Sequence, residues 1–381
     1  MTTYQEIIPI SNKILKKHVL CEYCLGRLFS KQLHLSSNKL LGRKLKNNLK
    51  STQRCYICKN LFFNLNYFLN MMIDSSSSYD YSSFSVGAIV KPSIIDRDDL
   101  IRSKYKLKGI DGIKTDITKE LVKLFSKKTK KKFEYLDPQI VFTVNLKDES
   151  CDIRSKSLTL SGRYVKSERG FLQKQKPCFN CSGKGCRICH FHGISEFDSV
   201  EGEISEFLFK KLGGTTSKFT WIGGEDKSSL VLGRGRPFFI KIQNPNKRNL
   251  RVSSAKLTHI QISNLKIVSD SPKKPLKFNS LVEAKILTTT KINSNLLKKL
   301  KNLTNALVAV YEKSGKRTEK KILSIKYKKD NDTSFRIFFK FEGGLPVKRF
   351  ISGDDVSPSV SQTLGVNCQC VEFDFHEIDV Q

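Results

Sequence analysis

The chain has 381 residues, 39% of them apolar, so it is too long for one ordinary core and too apolar for a disordered coil; two domains, or three, are expected. Lys and Arg number 68 against 36 Asp and Glu, a formal charge of +32 spread along the whole length. That excess points to a polyanion, most commonly nucleic acid, although a solubilising Lys-rich surface would give the same count.

No stretch approaches the ~18 apolar residues of a membrane helix. The N-terminus MTTYQEIIPISNKILKKHVL has no long apolar segment, so no secretory signal is expected and the cytoplasm is the expected compartment. Residues 1–60 read as helical and basic, with LGRKLKNNLK between two Cys-x-x-Cys pairs, Cys21/Cys24 and Cys55/Cys58. SSSSYDYSS, Ser75 to Ser83, reads as a mobile polar loop. FSVGAIV then reads as a strand. ITKELVKLFSKK reads as an amphipathic helix with Ile117, Leu121 and Leu124 at helical spacing, and PQIVFTVNL and SLTLSGRYV read as strands.

A Cys-rich insert, CFNCSGKGCRIC, follows with Cys178, Cys181, Cys186 and Cys189. Ser199 is placed to cap a helix whose Val200, Ile204, Phe207 and Leu208 share a face. Beyond it the chain is mostly strands. FFIKI follows a Gly/Arg loop, SFRIFFKF alternates Phe335, Ile337, Phe339 and Phe341, and VEFDF turns Val371, Phe373 and Phe375 inward. One helix, about Ser294 to Asn302, interrupts them. No internal repeat is present, and both halves read as α+β.

Each Cys-x-x-Cys pair sets two thiolates on one knuckle, and two knuckles complete a tetrahedral four-sulfur site for structural zinc. Cys21, Cys24, Cys55 and Cys58 form one candidate; Cys178, Cys181, Cys186 and Cys189 form a second with a short glycine-containing loop. Buried thiols or an iron–sulfur cluster are the competing readings. Cys151, Cys368 and Cys370 read as interior residues, and His190 and His192 flank a set that four Cys already fill. The spacing argues against disulfides, as does an intracellular setting.

The most unusual segment is WIGGEDKSSLVLGRGRPFFIKIQNP. One acidic pair, Glu225 and Asp226, lies between Gly223-Gly224 and Gly233-Arg234-Gly235-Arg236 in a basic surrounding. A carboxylate among cations stays ionised, which suits a nucleophile or base beside RNA phosphates. Arg234 and Arg236 could grip phosphate bidentately. A hairpin loop with a surface ion pair explains the same residues. If the loop is extended, Glu225 points away from Asp226, and Glu225→Gln is then expected to keep substantial activity.

This segment resembles the catalytic loop of the archaeal and eukaryotic tRNA pseudouridine synthases that modify the T-arm loop, through Gly224-Glu225-Asp226 and Leu232-Gly233-x-Gly235-Arg236-Pro237-Phe238. SVEGEI, KFNSLV, LPVKRFISGDD and PSVSQTLG extend the resemblance over most of the chain, and SGRYVKSERG resembles the end of the family's THUMP-type accessory region. It departs from the family at Ser228, where a second Asp is usual, at Phe278, where Tyr is usual, and at the shortened Gly353-Asp354-Asp355-Val356-Ser357.

The resemblance implies an N-terminal zinc-containing THUMP-like domain over 1–166 and a four-cysteine zinc insert over 167–195. It places a synthase domain over 196–381, a mixed, mainly antiparallel sheet flanked by helices. It implies Asp226 as the catalytic carboxylate and Lys348 as the base partner that keeps it ionised. Phe278 stacks on a flipped uracil, and Val347 and Phe373 wall the pocket, although core packing explains Phe373 equally. The implied reaction breaks the N-glycosidic bond of uridines 54 and 55 in tRNA, turns the uracil and rejoins it through C5, with no organic cofactor and no obligate protein partner. Two rivals stand beside it. One is a non-catalytic, zinc-dependent tRNA-binding protein. The other is a methyltransferase, which would need a glycine-rich nucleotide loop after a strand, whereas the glycines here precede strands.

Overall fold

The computed structural model describes residues 4–33, 35, 37–47, 53–107, 110–312 and 314–381. It divides into two units, Met1–Lys156 and Ser157–Gln381. No helix among the described residues is long and apolar enough to cross a membrane.

The first unit begins with helices α1 (Tyr4–Leu15), α2 (Glu22–Ser30), α3 (Asn38–Leu45) and α4 (Leu65–Ser76). Strand β1 (Ser83–Ile89), helices α5 (Pro92–Lys104) and α6 (Ile113–Thr129), and strands β2 (Lys132–Phe133), β3 (Ile140–Asn145) and β4 (Ser150–Ser155) complete it. The sheet order is β2-β1-β3-β4. β1 pairs in parallel with both β2 and β3, a connection that needs a crossover, here supplied by α5 and α6. The Phe84, Phe125 and Phe142 rings meet at the core, with centroids 4.7 and 4.9 Å from Phe125. Arg27 of α2, fully buried, pairs with buried Asp98 of α5 and locks the helices to each other. The expected mobile loop at Ser75–Ser83 is instead a short, packed connection: Tyr81 is buried and its hydroxyl donates to Ser76 Oγ at 3.1 Å.

The second unit is built on one large sheet. Its elements are β5 (Leu158–Lys166), α7 (Val200–Leu212), β6 (Ser217–Trp221), β7 (Leu230–Ile242), β8 (Ala255–Lys256), β9 (Ile260–Val268) and β10 (Phe278–Thr288). There follow α8 (Ser294–Lys298), β11 (Leu307–Tyr311), β12 (Arg317–Lys329), β13 (Ser334–Glu342), α9 (Val347–Ser352), β14 (Val356–Ser357), α10 (Val360–Leu364) and β15 (Cys368–Val380). The order is β14-β11-β12-β13-β10-β15-β7-β5-β9-β8, with β6 also on β7. β15 and β7 are parallel at Asp374↔Leu230 and Phe375↔Val231, whereas the other pairings are antiparallel, so the sheet is mixed and mainly antiparallel. Ser199 caps α7 through Gly202 N–H at 3.0 Å.

Two further expectations change. The boundary falls at 156/157, not at 166, because β5 is an interior strand of this second sheet, pairing with β7 and β9. SGRYVK therefore belongs to the unit that carries the candidate active site. Val371 is 44% exposed rather than inward. A register shift opposite Lys285/Ile286 leaves it unpaired, while Phe373 and Phe375 keep the inward phase.

Candidate active site

The loop 222–229 connects β6 to β7 and enters the sheet where β7 begins beside β15. Asp374 of β15 accepts from Leu230 N–H at 3.0 Å and holds that entry point. Asp374 also takes both nitrogens of the Arg169 fork, each at 2.7 Å. Arg169 donates in turn to the Ser228 carbonyl, and Gly170 N–H donates to the Lys227 carbonyl at 2.7 Å. The segment after β5 thus clasps the loop from the outside.

Within the loop the two adjacent carboxylates face opposite environments. Asp226 is part-exposed. Ser228 donates to its Oδ1 from N–H at 2.9 Å and from the hydroxyl at 2.7 Å, and the Lys348 ammonium donates to Oδ2 at 3.0 Å. Partial burial works to raise the Asp226 carboxyl, but the two Ser228 hydrogen bonds, followed by Lys348, outweigh it and hold the group at about 2. Ser228, which replaces an acid, is therefore a hydrogen-bond donor to the carboxylate.

The Glu225 side chain is fully buried, its Oε1 3.1 Å from Lys166 Nζ and its Oε2 3.4 Å from Arg236 Nε, both of these residues also fully buried. The Tyr164 hydroxyl donates to Oε2 at 2.8 Å, and Gln173 donates to Tyr164 Oη at 3.1 Å and to the Gly223 carbonyl at 3.3 Å. Lys166 also donates to the carbonyls of Phe171 at 3.0 Å and of Asp226 itself at 3.2 Å. Burial, and then the Glu225 charge, push the Tyr164 phenol well above its ordinary range, so it remains a donor.

Arg236 differs from expectation. It lies in the inward phase of β7, donates to the Ile222 carbonyl at 2.9 Å, and has its guanidinium 4.3 Å from the Phe375 ring centroid. A side chain without exposed surface cannot grip phosphate, so Arg236 supports the loop from beneath. Arg234 is exposed, yet it is engaged by Glu377 and Asp379 of β15.

Phe278, at the start of β10, lies against the loop. A Cβ on Gly223 would come within 2.8 Å of the Phe278 ring and 2.7 Å of Arg236 Nη1, and one on Gly343 would overlap the ring. Both positions need glycine for this close approach, and Gly223 also has φ +77°. Val347 and Phe373 are buried in the core of this unit, at 5% and 6% exposure. Asp226, Lys348 and Phe278 are thus all placed at the loop, with Val347 adjoining Lys348 in α9 and Phe373 on β15.

Cys370 is close enough to Asp226 and Lys348 to feel both charges, and burial pushes its thiol up to about 11. It stays protonated at neutral pH and is no rival nucleophile. The sequence reading missed Tyr164, Lys166, Arg169 and Gln173. Lys166 had a signal: it follows Leu160 and Tyr164 in the period-two inward phase of β5, where a lysine needs a partner.

Each Cys cluster brings its four sulfurs within 4.8 Å of one another. Cys21–Cys58 is 3.6 Å, Cys181–Cys189 is 3.8 Å and Cys186–Cys189 is 3.7 Å between sulfurs. A tetrahedral ion with ~2.3 Å metal–sulfur bonds separates its ligands by about 3.8 Å, so both clusters fit a single ion. A four-iron cluster would hold its thiolates farther apart, each on its own iron.

The family model described as the Pus10 C-terminal domain matches residues 159–379, and that of the archaeal Pus10 THUMP domain matches 68–145. The tRNA pseudouridine synthase Pus10 of Nitrosopumilus maritimus is 78% identical over all of both chains. That of Cenarchaeum symbiosum is 34% identical over 96% of this chain and 90% of its own. That of Methanocaldococcus jannaschii is 28% identical over 97% of this chain and 94% of its own. With a family model spanning more than half of its length and full-length relatives at this identity, the chain belongs to the Pus10 family of tRNA pseudouridine synthases, isomerases that carry an N-terminal THUMP domain.

Proposed function

We propose that this enzyme isomerises the uridines at positions 54 and 55 of the tRNA T-arm loop and that Asp226 is its catalytic carboxylate. The observation that carries the reading is the Asp226–Lys348 pair, 3.0 Å apart and part-exposed, in a loop braced on every other side by buried or clasped groups. An ionised carboxylate can add to the sugar or base, or remove a ribose proton, as the glycosidic bond breaks. No organic cofactor is required for a net isomerisation. The target base must leave the stack to reach this loop, and the Phe278 ring offers it a stacking surface. Val347 and Phe373 close the apolar side. Arg234 is the remaining candidate for a backbone phosphate, which would have to compete with Glu377 and Asp379.

The experiment is direct. Purified protein is incubated with an unmodified tRNA transcript, and pseudouridine is mapped by chemical labelling. Label at 54 and 55 is the expected result; label confined to another arm would overturn the positional reading.

Both Cys clusters are proposed to hold structural zinc, with the four thiolates of each as the only protein ligands. The protein works in the cytoplasm, where such thiolates stay reduced. Protein purified without chelator is expected to contain about two zinc ions per chain. Cys181→Ser or Cys186→Ser is expected to lower the count by about one and to destabilise the 178–193 knuckle, since binding free energy at such a site is folding free energy. Elemental analysis checks this, and iron with visible absorbance would refute it.

A further inference from the structure

The second Cys knuckle carries groups that neither the metal nor the catalytic loop uses. Its inward side is accounted for. His192 is not a ligand but an anchor: its ring stacks on Phe209 of α7 at 4.2 Å, and its Nδ1 is 2.9 Å from the Thr215 carbonyl. Cys178 N–H donates to the Gly193 carbonyl at 2.8 Å and closes the base of the knuckle. N–H groups of Gly185, Cys186 and Gly193 donate to Cys sulfurs at 3.2 to 3.3 Å, so the tip has little freedom.

The outward side is different. Phe179 is 84% exposed, Ile188 60% and Phe191 52%. Phe191 and its neighbour His190 both have positive φ, +63° and +48°, a conformation non-glycine residues seldom adopt. The closed knuckle holds the Phe191 backbone there, with Phe191 N–H on the Cys186 carbonyl at 2.8 Å. Between 174 and 193 the exposed charged side chains besides His are Lys174, Lys176, Lys184 and Arg187, with no carboxylate; the proposed four-thiolate zinc site offsets about two of these four charges and leaves the knuckle at about +2.

Bare aromatic rings on a rigid tip whose exposed charged side chains are all cationic suit a partner that offers both π faces and anions. Unpaired nucleotides do so, since every base stacks on an aromatic ring and every linkage is an anion. An acidic protein surface would satisfy the cations but leave the rings without flat partners. The geometry points to this knuckle as a stacking platform for unpaired bases of the tRNA substrate, with Phe179 and Phe191 as the rings and Lys176, Lys184 and Arg187 on the flanking phosphates. The inference rests on tRNA as the substrate and adds a contact remote in sequence from the catalytic loop.

The test uses full-length, zinc-loaded protein and an unmodified tRNA transcript. The double variant F179A/F191A is expected to raise Kd about tenfold to a hundredfold at fixed salt, with the slope of log Kd against log salt unchanged, because stacking releases no counterions. K184A/R187A is expected to flatten that slope by about 1.4, twice the ~0.7 of a single-strand phosphate contact. F179W/F191W keeps the stacking faces and is expected to stay within about threefold of the parent. Pseudouridine formation at saturating enzyme is expected to be unchanged in all three. An alanine variant that binds the transcript as tightly as the parent, while the parent still modifies it, overturns the platform and leaves the substrate reading standing. If the double alanine variant loses zinc, the single variant F179A, at the 84% exposed position, decides with zinc retained: weakened binding supports the platform, and parental affinity overturns it.

Discussion

Asp226→Asn is expected to drive pseudouridine formation below detection, a fall of at least roughly 10^3-fold in the single-turnover rate, while tRNA affinity and Tm stay near those of the parent. The amide keeps the size of the side chain and can still accept from Ser228, so the loop has no reason to move. It removes the ionised oxygens, and the neighbouring groups are not free to substitute: the Glu225 side chain is sealed between two cations, Asp374 is held by the Arg169 fork and Leu230 N–H, and Cys370 is a protonated thiol. The pH profile adds a second check. In the proposed role the charged form is the working one, and the Asp226 carboxyl is depressed to about 2, so activity should persist on the acid side until the fold itself fails. Lys348→Met is expected to slow turnover with binding largely intact, but not by neutralising Asp226 at pH 7. Ser228 supplies the two leading stabilising hydrogen bonds, so losing the ammonium moves the acid limb upward while leaving it in the ordinary carboxylate range, well below neutrality. The loss at pH 7 then reports the position of the carboxylate and the charge offered to the substrate. Retained activity in Asp226→Asn would return the loop to a structural role.

Glu225→Gln, one residue away, is expected to fail in the opposite manner. An alternating loop predicts a harmless control; the structure makes Glu225 the carboxylate between two fully buried cations, Lys166 and Arg236. Removing one partner of a buried charge group leaves the rest uncompensated, at a cost of about 3–5 kcal/mol. For a unit of this size that corresponds to a Tm about 6–20 °C lower. Lost pseudouridine formation in this variant should therefore track lost folded protein, read by calorimetry and near-ultraviolet dichroism. Lys166→Met is expected to cost less in Tm, because it leaves one buried cation on one carboxylate. It should slow turnover only modestly, since the Asp226 carbonyl loses one of three donors and keeps Ser229 N–H at 3.0 Å and Ser229 Oγ at 2.8 Å. A Glu225→Gln protein with parental Tm and full activity would mean that the buried network does not support the loop.

Much of this protein is legible in its sequence because the relevant signals are local. Cys-x-x-Cys spacing fixes two sulfurs on one turn whatever surrounds them, so both clusters could be named and both close in space. Period-two alternation placed β5 and β13, and the serine cap placed α7, because strand pleat and helix termini are short-range geometry. The loop motif around Glu225-Asp226, by its resemblance, carried the expectation of a family that the full-length relatives bear out.

What remained depended on pairings far apart in the chain. That β5 belongs with β7 and not with the preceding unit is decided by hydrogen bonds to residues more than sixty positions away. The same pairing decides which of two adjacent acids stays open to solvent and which is sealed between two cations, since Lys166 and Arg236 reach Glu225 only when β5 and β7 lie side by side. It also removes Arg236 from the surface, where the Gly/Arg segment had suggested a grip on phosphate. Residue type and spacing determined the Cys knuckles, the strands and the chemistry of the loop. Only the tertiary structure decided which charges face solvent, because burial is set by what the rest of the chain packs on top of them.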